Sequence, residues 1–244
     1  MLQYLKDRLS IIRIGTSGYT YSWNMKKPSA FQWYVDQGFN SVEINASYYR
    51  FPMESWVNTW LSVAPFNFTF SIKVSRYITD YTRLKGESAV QLWNKFSKTL
   101  DRISDKIDFW LFKMPSSFKY TSENLEIVKK FFKSTELDNN KAVLEFRDSS
   151  WWKIIDKISD IGIVFCSVDA PGLPRTRIVT NNAMYLRVHG YKKWYSHIYS
   201  KAELNTIISS IKKLNAYKKA IYLNNDHGML ENGLYLLKHL KSEI

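Results

Sequence analysis

Short runs in which apolar and polar residues alternate, separated by stretches of helical periodicity, constrain this chain more than any other feature. In Ala142-Val143-Leu144-Glu145-Phe146-Arg147 a strand would place Ala142, Leu144 and Phe146 on one face and Val143, Glu145 and Arg147 on the other, because successive side chains of a strand point to opposite faces. The pattern recurs. Phe68, Phe70, Ile72 and Val74 alternate with Thr69, Ser71, Lys73 and Ser75; Val164, Cys166 and Val168 with Phe165, Ser167 and Asp169; Met184, Leu186 and Val188 with Tyr185, Arg187 and His189. Val42 and Ile44 alternate with Glu43 and Asn45, and Ile221 and Leu223 with Tyr222, Asn224 and Asp226. Acids, bases and amides gather toward the C-terminal ends of these runs.

The order of elements follows from period and punctuation. Strands are expected at 11–15, 41–45, 68–75, 109–114, 142–147, 163–169, 184–189 and 220–224. Helices are expected at 31–37, stopped by Gly38; after Pro52, with Trp56, Val57, Trp60 and Leu61 on one face; and at 89–103, 125–132, 151–158, 201–214 and 230–240. Ser200 and Glu203 have the spacing of a capping box. Strands alternating with helices predict parallel pairing by crossover, and a chain of 244 residues suits closure into one TIM-like (β/α)8 barrel spanning residues 1–244; a doubly wound open sheet is the second choice. The sixth unit is irregular, because Pro171-Gly172-Leu173-Pro174 leaves little room for a helix before Met184. Buried charges cost several kcal/mol each unless paired, so the polar inner face is expected to collect at the C-terminal mouth, where they meet one another, water or a ligand.

Composition narrows the class. Hydrophobic residues make up 45% and aromatic residues 16% of the chain, which argues for a folded core. The net charge of +13 favours anions in general: nucleic acid, phosphorylated metabolites or an acidic surface. Cys166 stands alone, so neither an internal disulfide nor a cysteine metal cluster can form, and its mid-strand place marks it as a small core residue. No stretch is long and apolar enough to span a membrane, and Met1–Arg8 lacks a signal-peptide core; a cytoplasmic location is the resulting expectation. Gly15 and Gly18 make no dinucleotide fingerprint, and Ser17 lacks the context of a hydrolase nucleophile. Trp56, Trp60 and Trp93 read as core.

Gly15-Thr16-Ser17-Gly18-Tyr19, Val42-Glu43-Ile44-Asn45 with Tyr48-Tyr49-Arg50, Glu145-Phe146-Arg147 with Trp151, Val168-Asp169-Ala170-Pro171, Arg187-Val188-His189-Gly190 and Asn224-Asn225-Asp226 appear in that order. Together they resemble the YecE-like domain-of-unknown-function family, number seventy-two in that series, over nearly the whole chain. The resemblance implies a TIM-barrel-like fold and no assigned activity. The chain departs from the family pattern at Lys113-Met114-Pro115, where the family tends to carry Gln before the proline; the change adds a cation near the mouth.

Three functional readings remain open. In the first, the chain is an enzyme acting on a small anionic substrate, phosphorylated or sugar-like. Glu43, Glu145, Asp169 and His189 are then the catalytic candidates, with Glu145 or Glu43 as general base and His189 as proton donor near neutral pH. Arg147 and Arg187 form the anion clamp, and Asn45, Lys73, Asn225, Asp226 and Tyr195 complete the substrate-binding set. The same ionic groups would, without a substrate, be an internal network holding strands in register. In the second, Tyr191-Lys192-Lys193-Trp194-Tyr195 with His197 and Tyr199 stacks on bases and neutralises phosphate as a nucleic-acid site, or else folds over the mouth as a lid. In the third, Glu43, Glu145, Asp169 and His189 hold a divalent metal, though the neighbouring cations would repel it and no HxH or HxxE spacing supports it. No other cofactor is implied.

Overall fold

A computed structural model describes residues 10–135 and 137–240. Eight strands, β1 (Ile11–Thr16), β2 (Ser41–Ile44), β3 (Thr69–Lys73), β4 (Ile107–Lys113), β5 (Ala142–Glu145), β6 (Val164–Asp169), β7 (Ala183–Val188) and β8 (Lys218–Leu223), form one parallel sheet. Its order is β1-β8-β7-β6-β5-β4-β3-β2. Helices α1 (Ala30–Asp36), α2 (Glu54–Val63), α3 (Gly86–Lys98), α4 (Ser122–Ser134), α5 (Ile155–Asp160), α6 (Lys201–Lys212) and α7 (Met229–Leu240) alternate with the strands. The fold is a TIM-like (β/α)8 barrel. The connection from β6 to β7 contains no helix, as the proline-rich segment led us to expect. Met1–Arg8, read above for a leader, lies outside the described residues. Among those described, no helix is long and apolar enough to cross a membrane.

The sheet closes between β1 and β2 with help from side chains. Ser17 and Glu43 make the parallel bridge, with Gly18 N donating to Glu43 O at 2.7 Å. Below it, Asn40 imitates a strand: its Oδ1 accepts from Ile14 N at 2.8 Å and its Nδ2 donates to Ile12 O at 2.7 Å. Tyr34 Oη accepts from Thr16 N and donates to Ser41 O, each at 2.9 Å. The strands come so close here that a Cβ on Gly15 would lie 2.1 Å from Ser41 O. Only glycine fits that approach.

The local signals hold where the chemistry is explicit. Ser29 caps α1 by accepting from Gln32 N, Thr121 caps α4, and the Ser200/Glu203 box is formed in both directions. Two helices differ from expectation. The stretch expected as one helix over 89–103 is α3 followed by a 3-10 turn, Asp101–Lys106, and Thr99, whose hydroxyl donates to Phe96 O at 2.7 Å, sits at the break. The stretch expected over 151–158 begins as a 3-10 turn, Ser149–Ile154, capped by Asp148, and only then continues as α5.

Outside the barrel, one face of each strand packs on the helices; Ile14, Val42, Phe70, Ile72, Phe112, Leu144, Leu186 and Ile221 all lie in this shell, with Trp60 and Trp93. Inside, the filling is divided. β4, β5 and β6 contribute Phe109, Leu111, Val143, Val164, Cys166 and Val168. Opposite them the interior is polar but satisfied: Tyr222 Oη lies 2.7 Å from Ser41 Oγ, and Ser71 Oγ 2.6 Å from Tyr185 Oη. At the N-terminal end, Asp108 accepts from Arg13 Nε at 2.8 Å and pairs with Lys218. Cys166 is buried and unpaired, and burial raises its thiol well above the ordinary range.

Candidate active site at the C-terminal mouth

The upper layer of the barrel is built around Arg187 on β7. Its Nε and Nη2 donate to the two oxygens of Glu43 on β2 at 3.0 and 2.6 Å, and its Nη1 donates to Glu145 Oε2 on β5 at 2.7 Å. Nη2 also donates to Ser17 Oγ at 3.0 Å, while Ser17 Oγ donates to Glu43. Tyr185 Oη donates to Glu43 Oε2 at 2.7 Å. The side chains of Arg187, Glu43 and Glu145 are all at 0% exposure. A two-pronged arginine pair with every polar atom engaged is the geometry in which buried charges become tolerable.

Glu145 receives two more neighbours. Arg147 Nη2 lies 2.7 Å from Oε1, and His189 Nε2 lies 3.1 Å from the same oxygen. Burial alone would raise this carboxyl, but the Arg147 and Arg187 charges and the His189 hydrogen bond outweigh it and hold Glu145 well below the usual carboxylate range. Glu145 is therefore a poor base. Burial, followed by the Arg187 charge, pushes His189 down to about 3, so the ring is neutral at pH 7. Asn224 Nδ2, which can only donate, lies 3.1 Å from His189 Nδ1. The ring proton thus sits on Nε2 and points at Glu145. The expectation that His189 carries a second proton near neutrality is corrected on these grounds.

Above this layer stands Lys73, the last residue of β3. It is 7% exposed. Its ammonium lies 4.4 Å from the centre of the Tyr48 ring, and Lys113 lies 4.9 Å from the same centre. The two lysines differ in one respect. Lys113 Nζ is 2.9 Å from Asp80 Oδ1; Lys73 has no carboxylate within ion-pairing distance among the described residues. Burial, then the Arg187 charge, push Lys73 down to about 7, with Glu43 and Glu145 opposing. Asn45 Oδ1 and Arg147 Nε, both at the mouth, are buried with no hydrogen-bond partner among the described residues. Asn45 lines a cleft of about 480 Å³ with Ser17, Tyr21, Tyr49 and Trp60. Asp226, past β8, has a left-handed backbone at φ 49°; its burial raises its carboxyl above the usual range. Left-handed non-glycine residues cost free energy and collect at functional sites.

The loop after β7 covers the mouth. Trp194 packs against His189 at 5.0 Å between ring centres, and the Arg147 guanidinium lies 4.5 Å over the Trp194 ring. Tyr195 Oη accepts from Arg147 Nη1 at 3.3 Å, and Tyr195 N donates to His189 O at 2.7 Å. The turn needs Gly190, at φ 132°, because a Cβ there would meet Lys193 O at 2.2 Å. His197 pairs with Glu203, and Tyr199 Oη donates to Asp169. Of the aromatic groups expected to stack on nucleic acid, Trp194, His197 and Tyr199 are thus engaged within the fold. Tyr191, Lys192 and Lys193 remain exposed, with the Tyr191 ring 3.7 Å from the Arg175 guanidinium.

The expected site residues separate accordingly. Glu43, Glu145, Arg187, His189, Arg147 and Lys73 come together, with Asn45, Tyr195 and Asp226 at the rim. Arg187 is spent on Glu43 and Glu145, so it cannot clamp an outside anion. Asp169 does not join them. β6 turns Val164, Cys166 and Val168 inward, and Asp169 faces out to Arg177 at 2.8 Å. Asn225 ties the lid instead, donating to His197 O and Asn232 Oδ1; its neighbour Asn224 reaches the site. Of the four candidate metal ligands Asp169 lies apart and the other three are gathered on Arg187, and no group of three or more His, Cys, Asp or Glu among the described residues is placed to hold a metal. Sequence reasoning missed Ser17, Tyr185 and Asn224 as parts of the site. Tyr185 was findable, since it shares a strand face with Arg187.

Comparison with known proteins agrees with this architecture. A DUF72 family protein from Thermotoga maritima MSB8 is 24% identical, with 95% of this chain and 100% of that one covered and a TM-score of 0.85. A DUF72 family protein from Enterococcus faecalis V583 is 22% identical, with 95% and 96% covered and a TM-score of 0.83. At these identities the likeness speaks for the fold. No curated protein matches the chain. A family model described as protein of unknown function DUF72 matches residues 13–243, and the chain belongs to that family.

Proposed function

We propose that this barrel is an enzyme acting on a small anionic substrate at its C-terminal mouth. Lys73 serves as the proton-accepting group, Arg147 holds the anion, and Asn45 and Asp226 orient the substrate. The Glu43–Arg187–Glu145–His189 network is the rigid floor that fixes Arg147 and sets the field around Lys73. The observation that carries this reading is the contrast between the two lysines flanking Tyr48: Lys113 is neutralised by Asp80 at 2.9 Å, whereas Lys73, nearly buried, has no such partner among the described residues. A lysine amine available near neutral pH suits general-base work. Lid residues Trp194 and Tyr195 would exclude water over the bound substrate.

The test is a thermal-shift scan against inorganic phosphate, phosphorylated sugars and nucleotides, with Arg147→Ala beside the wild type. A ligand at a hundred times its Kd stabilises by about 2.7 kcal/mol. The reading expects a shift that the variant loses. A shift that survives in Arg147→Ala, or none with any of these ligands, overturns it.

A further inference from the structure

We infer that Lys73 is a covalent nucleophile, forming an imine with a small aldehyde or ketone that carries a carboxylate or phosphate; the inference rests on the reading of the mouth given above and names its substrate class. Geometry restricts the choice of nucleophile. Cys166 lies at 0% exposure inside the barrel, and Ser17, also at 0%, has its hydroxyl committed to Glu43. Lys113 is held by Asp80. That leaves Lys73, at the C-terminal end of β3, 7% exposed and resting on the Tyr48 ring. Beside it stands Arg147, whose Nη2 and Nη1 meet Glu145 and Tyr195, whose buried Nε has no hydrogen-bond partner among the described residues, and whose side chain keeps 14% exposure. A cation next to an unpaired lysine anchors an anionic tail while the lysine meets the carbonyl.

The groups facing Lys73 are Glu43 from β2, Tyr48 from the turn after it, Lys113 from β4, Glu145 and Arg147 at and beyond the end of β5, and Arg187 from β7. The two carboxylates favour the ammonium form, but both are already paired with arginine, and burial together with the two guanidinium charges prevails. The step balances without an external oxidant or reductant. The amine lone pair attacks the carbonyl carbon, and the carbonyl oxygen takes up a proton to give a carbinolamine. The nitrogen lone pair then expels that oxygen as water. One amine, one carbonyl and one proton from solvent become one protonated imine and one water. The imine draws electrons from the adjacent carbon, so the chemistry it serves is proton removal or carbon–carbon cleavage next to a carbonyl.

The experiment is reductive trapping. The wild-type protein is incubated with pyruvate near neutral pH, reduced with cyanoborohydride, digested and mapped by mass spectrometry, with Lys73→Arg in parallel. At pH 7 an amine of pKa about 7 has a neutral fraction roughly a thousandfold larger than an ordinary lysine. The adduct should therefore concentrate on Lys73, weaken as the pH is lowered below 7, and be absent from that peptide in a Lys73→Arg variant that melts cooperatively. Labelling spread evenly over the surface lysines, with Lys73 no different from the rest, overturns the imine. If phosphate still raises the melting temperature and Arg147→Ala still abolishes the shift, the anion-site reading stands and the covalent step alone falls. Loss of both signals overturns both.

Discussion

Replacing Arg187 by Met should expose how the buried network is balanced. The substitution removes three hydrogen bonds to carboxylates, at 3.0, 2.6 and 2.7 Å, and leaves Glu43 and Glu145 at 0% exposure. The consequences for the two acids differ. Glu145 keeps Arg147 at 2.7 Å, whereas among the described residues the Glu43 carboxylate keeps only the hydroxyls of Ser17 and Tyr185. One buried carboxylate without its cation costs about 3–5 kcal/mol. For a chain of this size that lowers the melting temperature by about 6–20 °C. The deficit should shrink as the pH falls, because protonating a carboxyl that has lost its cation removes the buried charge. The wild type moves the other way. Glu145 is depressed in the folded state, so its contribution is present above the unfolded carboxylate value of about 4.3 and is lost as the pH drops through the lower folded one. Urea unfolding of both proteins across this range measures the convergence. Adding Glu43→Gln to Arg187→Met should recover most of the loss at pH 7. A melting temperature within a degree or two of wild type, or a double variant as unstable as the single one, would refute the reasoning.

Other predictions concern separate parts of the fold. Lys73→Met should stabilise the protein by about 2–5 kcal/mol at pH 6. The folded amine titrates near 7 and the unfolded one near 10.4, so the unfolded chain binds the extra proton between those values and wild-type stability rises with pH across that window. The gain from Met should fade by pH 10; a variant less stable than wild type at pH 6 would contradict it. Asp108→Asn should cost about 1–3 kcal/mol at pH 7 by loosening Arg13 and Lys218, and a change under half a kcal/mol in urea unfolding would show the N-terminal cluster to be idle. Ser200→Ala removes the cap of α6 and should cost about 1 kcal/mol, with faster amide exchange at Glu203; unchanged exchange there would count against it.

Much of the barrel was legible because strand parity and helix caps are local. The alternation in 184–189 placed Arg187 and His189 together, and Glu43 and Glu145 joined them by the same rule. The family resemblance agreed, and the match over residues 13–243 bears it out. Asp169 failed because parity says which residues share a face, not which face is inward. In β6 both faces are apolar, Val164, Cys166 and Val168 against Phe165, so hydrophobicity could not choose. Asn224 and Asn225 are neighbours, and a one-residue difference decides which reaches His189. The seam between β1 and β2 was hidden, since Asn40 and Tyr34 stand in for backbone partners only once the strands are in place. The special status of Lys73 was hidden too: a missing carboxylate partner is a property of the assembled mouth.

The most direct test of a lysine amine available at the mouth is a titration of the Lys73 side chain by NMR, with the resonance assigned by its absence in Lys73→Arg. The account predicts a midpoint of about 7. A midpoint near the ordinary lysine value of about 10.4 would contradict it, because Lys73 would then be one more cation in a basic protein.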